Sequence, residues 1–238
     1  MKKTVCLATY NGGPFIVRQL DSVIEQLHKD DQVIVVDDGS KDSTVTLINE
    51  KYGKRVEVYV NEQNMGAIKS FEKAMKLAKG EIIFLCDQDD IWEADKVDKV
   101  MNAFKQQRAD LVVHDAFVVD GDLNMMNESW NEYNGNNVKQ GIAGNVIKNA
   151  FTGAMMAFKK DLVPLFLPLP KSIEMHDQWI ALVCMLEKKK IVYIDKPLMK
   201  YVRHGGNVTG MRKRSISEQM KGRLGTLTAI LQFKKSKP

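Results

Sequence analysis

The sequence predicts an α/β fold: a Rossmann-like, mostly parallel central sheet with helices on both faces. Three observations carry that reading. Short runs of almost wholly apolar residues recur through the first ninety positions, as at Val33-Ile34-Val35-Val36 and Ile82-Ile83-Phe84-Leu85-Cys86. Such runs are typical of strands covered on both faces of a parallel sheet. Between them lie stretches with helical spacing, giving the order βαβαβαβ. Each run then ends in polar residues: Thr9 and Asn11, Asp37 and Asp38, Asn61 and Asn64, Asp87 and Asp89. Right-handed crossovers place all four loops on one edge of the sheet, where ligands of open α/β sheets bind.

Thr4-Val5-Cys6-Leu7-Ala8 is the first strand, and Asn11-Gly12-Gly13-Pro14 turns the chain. Pro14 suits the first turn of a helix whose apolar stripe is Ile16, Leu20, Val23, Ile24 and Leu27. The second strand runs into Asp37-Asp38-Gly39-Ser40. Asp42 or Ser43 then caps a helix through Tyr52, with Gly53 past its end. Val56 to Val60 is a third strand. The following helix buries Ala67, Phe71, Ala74, Met75 and Ala78, and Gly80 ends it before the strand at 82–86. A helix after Trp92 carries Val97, Val100, Met101 and Phe104. Two short strands are expected at Leu111–His114 and Ala116–Val119. The Asn-rich segment 122–140 reads as a mobile surface loop. Residues 149–158 read as a strand, with Gly153 where a backbone or ligand comes close. A helix from Met175 through Leu186 and a strand at Ile191–Ile194 follow, and Tyr201-Val202-Arg203-His204-Gly205-Gly206-Asn207 closes the globular part.

Composition narrows the function classes. Hydrophobic residues make up 44% of 238, enough for one sizeable core, and no segment approaches the ~20 apolar residues of a membrane helix. The start, Met1-Lys2-Lys3-Thr4, shows no signal peptide. Cys6, Cys86 and Cys184 sit in apolar contexts without metal-ligand spacing, as expected of reduced thiols in a cytoplasmic protein. The net charge of +5 is uneven. From Met211 onward eight basic residues oppose one acid, for +7, while the body has 27 basic against 29 acidic residues, for −2. The body therefore offers no polyanion-binding surface, and nucleic acid is not an expected partner.

The chemistry concentrates at Asp87-Gln88-Asp89-Asp90. Three carboxylates this close repel one another unless a cation joins them, and oxygen ligands suit Mg2+ or Mn2+. A polar turn capping the next helix is the plainer alternative, but three acids exceed what a cap needs. Gly12-Gly13 does not complete G-x-G-x-x-G, and no G-x-x-x-x-G-K-[ST] occurs. A bound nucleotide would thus be handled by carboxylates and a metal ion. Asp177, opening a helix beside Trp179, suits a general base or an N-cap.

Taken together, Ala8-Thr9-Tyr10-Asn11-Gly12, Val36-Asp37-Asp38-Gly39-Ser40, Asn64-Met65-Gly66, Asp87-Gln88-Asp89-Asp90, His176-Asp177-Gln178-Trp179 and Tyr201-Val202-Arg203-His204 resemble the inverting family 2 glycosyltransferases of GT-A fold. They stand in the family's order over residues 4 to about 207. The pattern is most similar to bacterial cell-surface polysaccharide enzymes, including rhamnosyltransferase-like members. The resemblance implies residues 1–210 as the transferase domain, with a nucleotide-sugar half (1–115) and an acceptor half (116–210). It implies a donor site for a UDP- or dTDP-sugar at Thr9, Tyr10, Asn11, Asp37, Asp38, Asn64, Gly66, Lys69, Asp87 and Gln88. Metal ligation falls to Asp89 and His204, and the general base is Asp177. Sugar or acceptor contacts fall to Asp90, Trp92, Gly153, His176, Trp179 and Arg203. The acceptor would be a glycan or polyprenyl-linked hydroxyl, and a homodimer is compatible. No Q-x-x-R-W follows the base, which argues against a processive synthase.

Two other classes stay open on the residues: a sugar nucleotidylyltransferase, whose G-x-G-T-R-like loop is missing here, and a non-catalytic nucleotide-sugar-binding module, which would not need Asp177. The tail, 211–238, places Ile216, Met220, Leu224, Leu227, Ile230 and Leu231 at helical spacing among its basic residues. It reads as an amphipathic helix on the anionic inner face of the cell membrane, or as a stripe packed on protein. Gly222 and Gly225 count against a strong helix, at about 1 kcal/mol each relative to Ala.

Overall fold

In the computed structural model, which describes residues 1–205 and 215–236, one sheet runs through the whole body. The expectations for Gly206 and Asn207, and for Arg212, Lys213, Arg214 and Lys237 of the tail, lie outside the described residues. The chain runs β1 (Lys3–Thr9), α1 (Ile16–Ile24), β2 (Gln32–Asp37), α2 (Thr44–Tyr52), β3 (Glu57–Val60), α3 (Ala67–Leu77) and β4 (Ile82–Cys86). Then come β5 (Ile91–Trp92), α4 (Lys96–Gln107), β6 (Leu111–Asp120), β7 (Met125–Asn127), α5 (Trp130–Asn134) and α6 (Gly141–Ile147). The last elements are β8 (Met156–Lys159), α7 (Val163–Phe166), α8 (His176–Leu186), β9 (Ile191–Arg203) and α9 (Ile216–Lys235). The sheet order is β3-β2-β1-β4-β8-β6-β9-β5, with β7 pairing β6. Strands β1 to β4 are mutually parallel. β8 enters antiparallel between β4 and β6, and β9 pairs β6 in parallel.

Period-two alternation builds both layers. Val5 and Leu7, Val33 and Val35, Ile82 and Phe84 point to the face covered by α1, α2 and α4. Cys6, Ile34, Ile83 and Leu85 point to the opposite face, covered by α3, α7, α8 and α9. The expected helices are present, although α1 begins at Ile16, two residues beyond Pro14. Gly53 sits at the end of α2 with φ +48°, which suits a residue without a Cβ.

Four expectations are corrected in the second half. The two strands at Leu111–His114 and Ala116–Val119 are one, β6, because Asp115 sits at a register shift that keeps the strand continuous. The segment 122–140 is not a plain surface loop: β7 pairs β6, and α5 buries Trp130. Asp115 holds it, taking hydrogen bonds from Ser129 Oγ at 2.5 Å and from the Asn131 N–H at 3.2 Å. Within 149–158 only Met156–Lys159 is strand, since Gly153–Met155 form a 3₁₀ turn. The strand at Ile191–Ile194 extends to Arg203, its register shifting near Pro197 because that residue has no N–H to donate.

The tail is a capped helix docked on the body. Ser215 Oγ accepts from the Glu218 N–H at 3.2 Å, and Glu218 returns the bond to the Ser215 N–H at 2.7 Å, a capping box. The packed face is not the expected stripe. Gly222, Thr226, Ala229 and Ile230 are buried, while Ile216, Met220, Leu224, Leu227 and Leu231 are exposed; of the six expected residues only Ile230 turns inward. The intrinsic cost of Gly222 and Gly225 to the helix is offset by the close packing they allow. They let it approach Glu174 and Ser172, where a Cβ would collide.

Candidate active site

The carboxyl ends of β1 and β4, the starts of α3 and α8 and the 3₁₀ turn at Gly153 surround one cavity of about 400 Å³. That volume suits a nucleotide-sized ligand. Eleven of the residues expected at a site line it: Thr9, Tyr10, Asp38, Asn64, Gly66, Asp87, Gln88 and Asp89 on the donor side, and Gly153, His176 and Asp177 on the other.

The donor wall is tied together by Gln88. Its Oε1 accepts from Thr9 Oγ1 at 2.6 Å and from the Tyr10 N–H at 2.9 Å, locking the β1 loop to the β4 loop. A Cβ at Gly12 would press on Gln88 Oε1 and Thr9 Oγ1, so glycine leaves room for that pair. Asp38 organises the next loop. Its carboxylate accepts from Asn61 Nδ2 at 2.8 Å, the Met65 N–H at 2.9 Å and the Gly66 N–H at 2.7 Å. Burial pushes the Asp38 carboxyl upward, but hydrogen bonds from Met65, Asn61, Gly66 and Ser70 outweigh it and hold the group below the usual carboxylate range.

The acidic loop divides its three carboxylates. Asp87 faces the cavity, where burial first, then the charges of Asp89 and Asp177, push it up to about 7. Asp89 Oδ2 lies 2.8 Å from His204 Nε2, and the His204 ring stacks on Phe15 with centroids 4.4 Å apart. Arg18 Nη2 donates to the Asp89 carbonyl at 3.2 Å. Asp90 turns into the protein instead, its Oδ1 accepting from the Val202 N–H at 3.2 Å. Burial, then Asp89 and Asp87, raise its pKa. Lys96 lies buried behind the loop, donating to the Ala154 carbonyl at 2.8 Å with its ammonium 4.1 Å from the Trp92 ring centroid. Burial brings its pKa down to about 7 against the opposing pull of Cys86, Asp90 and Asp87.

On the opposite wall Asp177 is buried at the second position of α8, whose N-cap is Met175, so the capping alternative does not hold. Oδ1 accepts from Asn149 Nδ2 at 2.9 Å and from the Gln178 N–H at 2.6 Å. Oδ2 accepts from the Gly153 N–H at 3.1 Å. Burial raises the Asp177 pKa, opposed in turn by His176 and by these hydrogen bonds. His176 stacks on Phe71 at 4.3 Å, and burial lowers its pKa, so it is neutral near pH 7. Its Nε2 has no hydrogen-bond partner among the described residues, and a Cβ on Gly153 would stand 2.6 Å from it.

Eight expected residues lie outside this lining. Asp37 is fully buried, its carboxylate accepting from the Gly39 and Ser40 N–H groups and from Ser40 Oγ, so it anchors a turn. Asn11 bonds Ser40 and Lys41 across the same turn, and Lys69 pairs with Glu72 at 2.9 Å. Asp90 is turned away, as above. Trp92 packs against Phe84 in the core, and Trp179 Nε1 donates to the Phe166 carbonyl at 3.1 Å. Arg203 lies over the Tyr133 ring at 5.6 Å. His204 does not line the cavity itself, but its Nε2 lies 2.8 Å from Asp89 Oδ2, which does. Asn149, Thr152 and Tyr201 were not anticipated. Asn149 orients Asp177, while Thr152 and Tyr201 line the cavity and both meet the Trp130 indole. A polar residue heading an apolar run was the available signal for Asn149.

A cavity at the strand ends, an acidic loop and a buried carboxylate facing it are the arrangement expected of the GT-A fold. The family model for glycosyl transferase family 2 matches residues 4–165, and the chain belongs to that family. The uncharacterized glycosyltransferase alr2836 of Nostoc sp. (strain PCC 7120) is 22% identical over 228 residues, covering 92% of this chain and 70% of that protein. Among solved structures, Staphylococcus aureus TarS 1–349 in complex with UDP-GlcNAc superposes with TM-score 0.71 at 22% identity, over 95% of this chain and 66% of that one. Mannosyltransferase PcManGT from Pyrobaculum calidifontis, in complex with GDP-Man and Mn2+, gives TM-score 0.65 at 19% identity, over 97% and 64%. The chain thus spans just under two thirds of these two solved chains. Membership of that family counts against the nucleotidylyltransferase reading.

Proposed function

We propose that the enzyme is an inverting, divalent-metal-dependent transferase. In this reading it moves a sugar from a UDP- or dTDP-linked donor to a hydroxyl of a glycan or polyprenyl-linked acceptor in cell-surface polysaccharide synthesis. The observation that carries this is the placement of Asp177 on the same cavity as Asp87 and Asp89. A single displacement needs a base on the acceptor side and charge compensation on the leaving-group side.

The base side follows from the hydrogen bonds. Oδ1 of Asp177 holds two donors and Oδ2 one, so Oδ2 keeps capacity for the acceptor hydroxyl. As that oxygen attacks the anomeric carbon, its proton passes to Oδ2. The bond from the anomeric carbon to the phosphate oxygen breaks, and its electron pair leaves with the diphosphate. Burial strengthens Asp177 as a base, while Asn149 and Gly153 keep it aimed.

On the leaving-group side the residues fit a metal ion. Among the described residues no three carboxylate, thiol or imidazole side chains form a ready-made cage. Magnesium and manganese sites of this kind take one or two carboxylates and complete themselves with substrate phosphates. Asp89 and His204 would hold the ion, with Asp87 on the same wall. When bound, it would supply charge neutralisation to the departing diphosphate. Thr9, Gln88 and the Asp38-organised loop would hold the nucleoside. No helix of the described residues is long and apolar enough to cross a membrane, and we place the enzyme on the cytoplasmic side, reaching its acceptor from the surface.

Asp177→Asn tests this. It should keep nucleoside diphosphate affinity within about twofold and lose ~10²–10⁴-fold in transfer. Wild-type turnover in that variant would remove Asp177 as the base and turn attention to Glu174, which also lines the cavity. Asp115 is committed to Ser129 and Asn131.

A further inference from the structure

Helix α9 has two apolar faces, and the body uses only one. Gly222, Thr226, Ala229 and Ile230 face inward, and Phe233 packs edge-on against Trp179 at 5.7 Å. On the other side Ile216, Met220, Leu224, Leu227 and Leu231 form one stripe, exposed by 44–81%. Ile147 at the end of α6, 60% exposed, is tied to the same helix through its carbonyl, which accepts from Arg223 Nε at 3.0 Å. Single exposed apolar residues need no explanation, but six held on two joined elements mark a contact surface.

Charge identifies the occupant. Lys221, Lys234 and Lys235 accompany the stripe, and residues 211–238 carry +7 in sequence against −2 for the rest of the chain. A second copy seated face to face would bring two such tails together, and like charges oppose that contact. An anionic lipid surface meets both requirements. It accepts the apolar stripe at the acyl boundary and attracts the lysines, whose stems reach up to the headgroups. The helix also abuts the acceptor wall of the site. Gly222 packs on Glu174 and Gly225 on Ser172, and Thr226 Oγ1 donates to Gln178 Oε1 at 3.2 Å, next to Asp177.

We infer that the outward face of α9, with Ile147, is an interfacial docking surface for an anionic lipid bilayer, and that it brings the acceptor side of the cavity to the membrane. This deepens the proposed use of a polyprenyl-linked acceptor, but vesicle binding is read without any activity. The assay is co-sedimentation of the full chain with vesicles of phosphatidylglycerol and phosphatidylcholine, or of phosphatidylcholine alone. The wild type should bind the anionic vesicles only. Each lysine or arginine near the surface contributes roughly fivefold to the binding constant, so raising salt should weaken binding steeply. Leu224→Asn/Leu227→Asn/Leu231→Asn should lose on the order of 100-fold in binding. All three residues are exposed, so melting temperature and transfer to a water-soluble acceptor should stay unchanged. Absent wild-type binding, or equal binding by the variant, would overturn the inference. So would a concentration-dependent dimer in analytical ultracentrifugation that the same triple variant abolishes, since the face would then join two copies. Loss of transfer with vesicle binding intact would count against the proposed reaction and leave this surface standing.

Discussion

Gly225→Ala should destabilise the enzyme even though it improves the helix it sits in. In an isolated helix the change is favourable by about 1 kcal/mol, because alanine loses less backbone entropy on ordering. In the folded protein the new Cβ would collide with the Ser172 backbone carbonyl oxygen, which cannot rotate aside as a side chain would. Relief requires α9 to retreat by roughly 1 Å, and a gap of that size forfeits a quarter to a half of each dispersion contact. The contacts at stake are those of Ala229 and Ile230, the Phe233–Trp179 edge packing and the Thr226–Gln178 hydrogen bond. Overpacking of this kind costs ~1–3 kcal/mol, which exceeds the propensity gain at all but the low end. The expected net loss is up to about 2 kcal/mol, or up to ~8 °C in melting temperature for a chain of this size. Hydrogen exchange should speed up in 216–235 and at the start of α8, while a peptide of residues 215–236 carrying the same change should become more helical by circular dichroism. The opposite signs are the diagnostic. An intact protein that is stabilised by the substitution would refute the close docking of α9 on Ser172.

Asp89→Asn should abolish the manganese-dependent part of nucleoside diphosphate binding with the fold intact; calorimetry with unchanged affinity, with and without manganese, would sink the ligand assignment. Gly153→Ala should cost ~1–3 kcal/mol and lower turnover at saturating donor, because the methyl presses on a His176 ring already backed by Phe71; a fully active variant would show that this wall is soft. Without divalent ions, thermal stability should pass through a trough near pH 7. Asp87 rises from 3.8 to about 7 on folding, so its contribution is complete below pH 3.8 and is lost as pH rises through about 7. Lys96 falls from 10.5 to about 7, so its contribution is complete above pH 10.5 and is lost as pH falls through about 7. Asp87→Asn should make the acid limb shallower, with Asp90 keeping part of it, and should lower the Lys96 pKa further; an unchanged acid limb in melting curves would refute the raised Asp87 carboxyl.

The first half of the chain was legible because its signals are local. An apolar run followed by Asp or Asn reports both a buried parallel strand and the edge on which it ends, and β1 to β4 follow that pattern. The second half was harder, because its structure depends on partners distant in sequence. Nothing near Ser129 announces that Asp115, fourteen residues earlier, will order the segment. Antiparallel insertion of β8 between β4 and β6 is a tertiary choice with no periodicity of its own. The tail shows the limit most sharply. Its apolar stripe is real, yet Ile216, Leu224 and Leu231 stay outside, because the docked face is chosen by where a backbone can come closest, and that is the glycine side.

The acidic loop makes the same point at the level of single side chains. Asp87, Asp89 and Asp90 are near-neighbours of one type, and spacing alone suggests one cluster around one ion. The fold gives them three surroundings instead: the cavity, the His204 imidazole and the Val202 backbone. What lets three acids coexist is then divided as well. Lys96, buried beneath them with Trp92 against its ammonium, compensates from the inside and is coupled to Asp87 and Asp90. In the proposed reaction, compensation on the solvent side would come from a cation arriving with the diphosphate. On this reasoning Lys96→Met, which keeps the volume but removes the inner charge, should raise the Asp87 and Asp90 pKa values further. It should shift the pH at which manganese first supports nucleotide binding upward. Calorimetric manganese titrations between pH 5.5 and 8 read that shift directly. An unmoved onset would mean that the inner lysine is only packing.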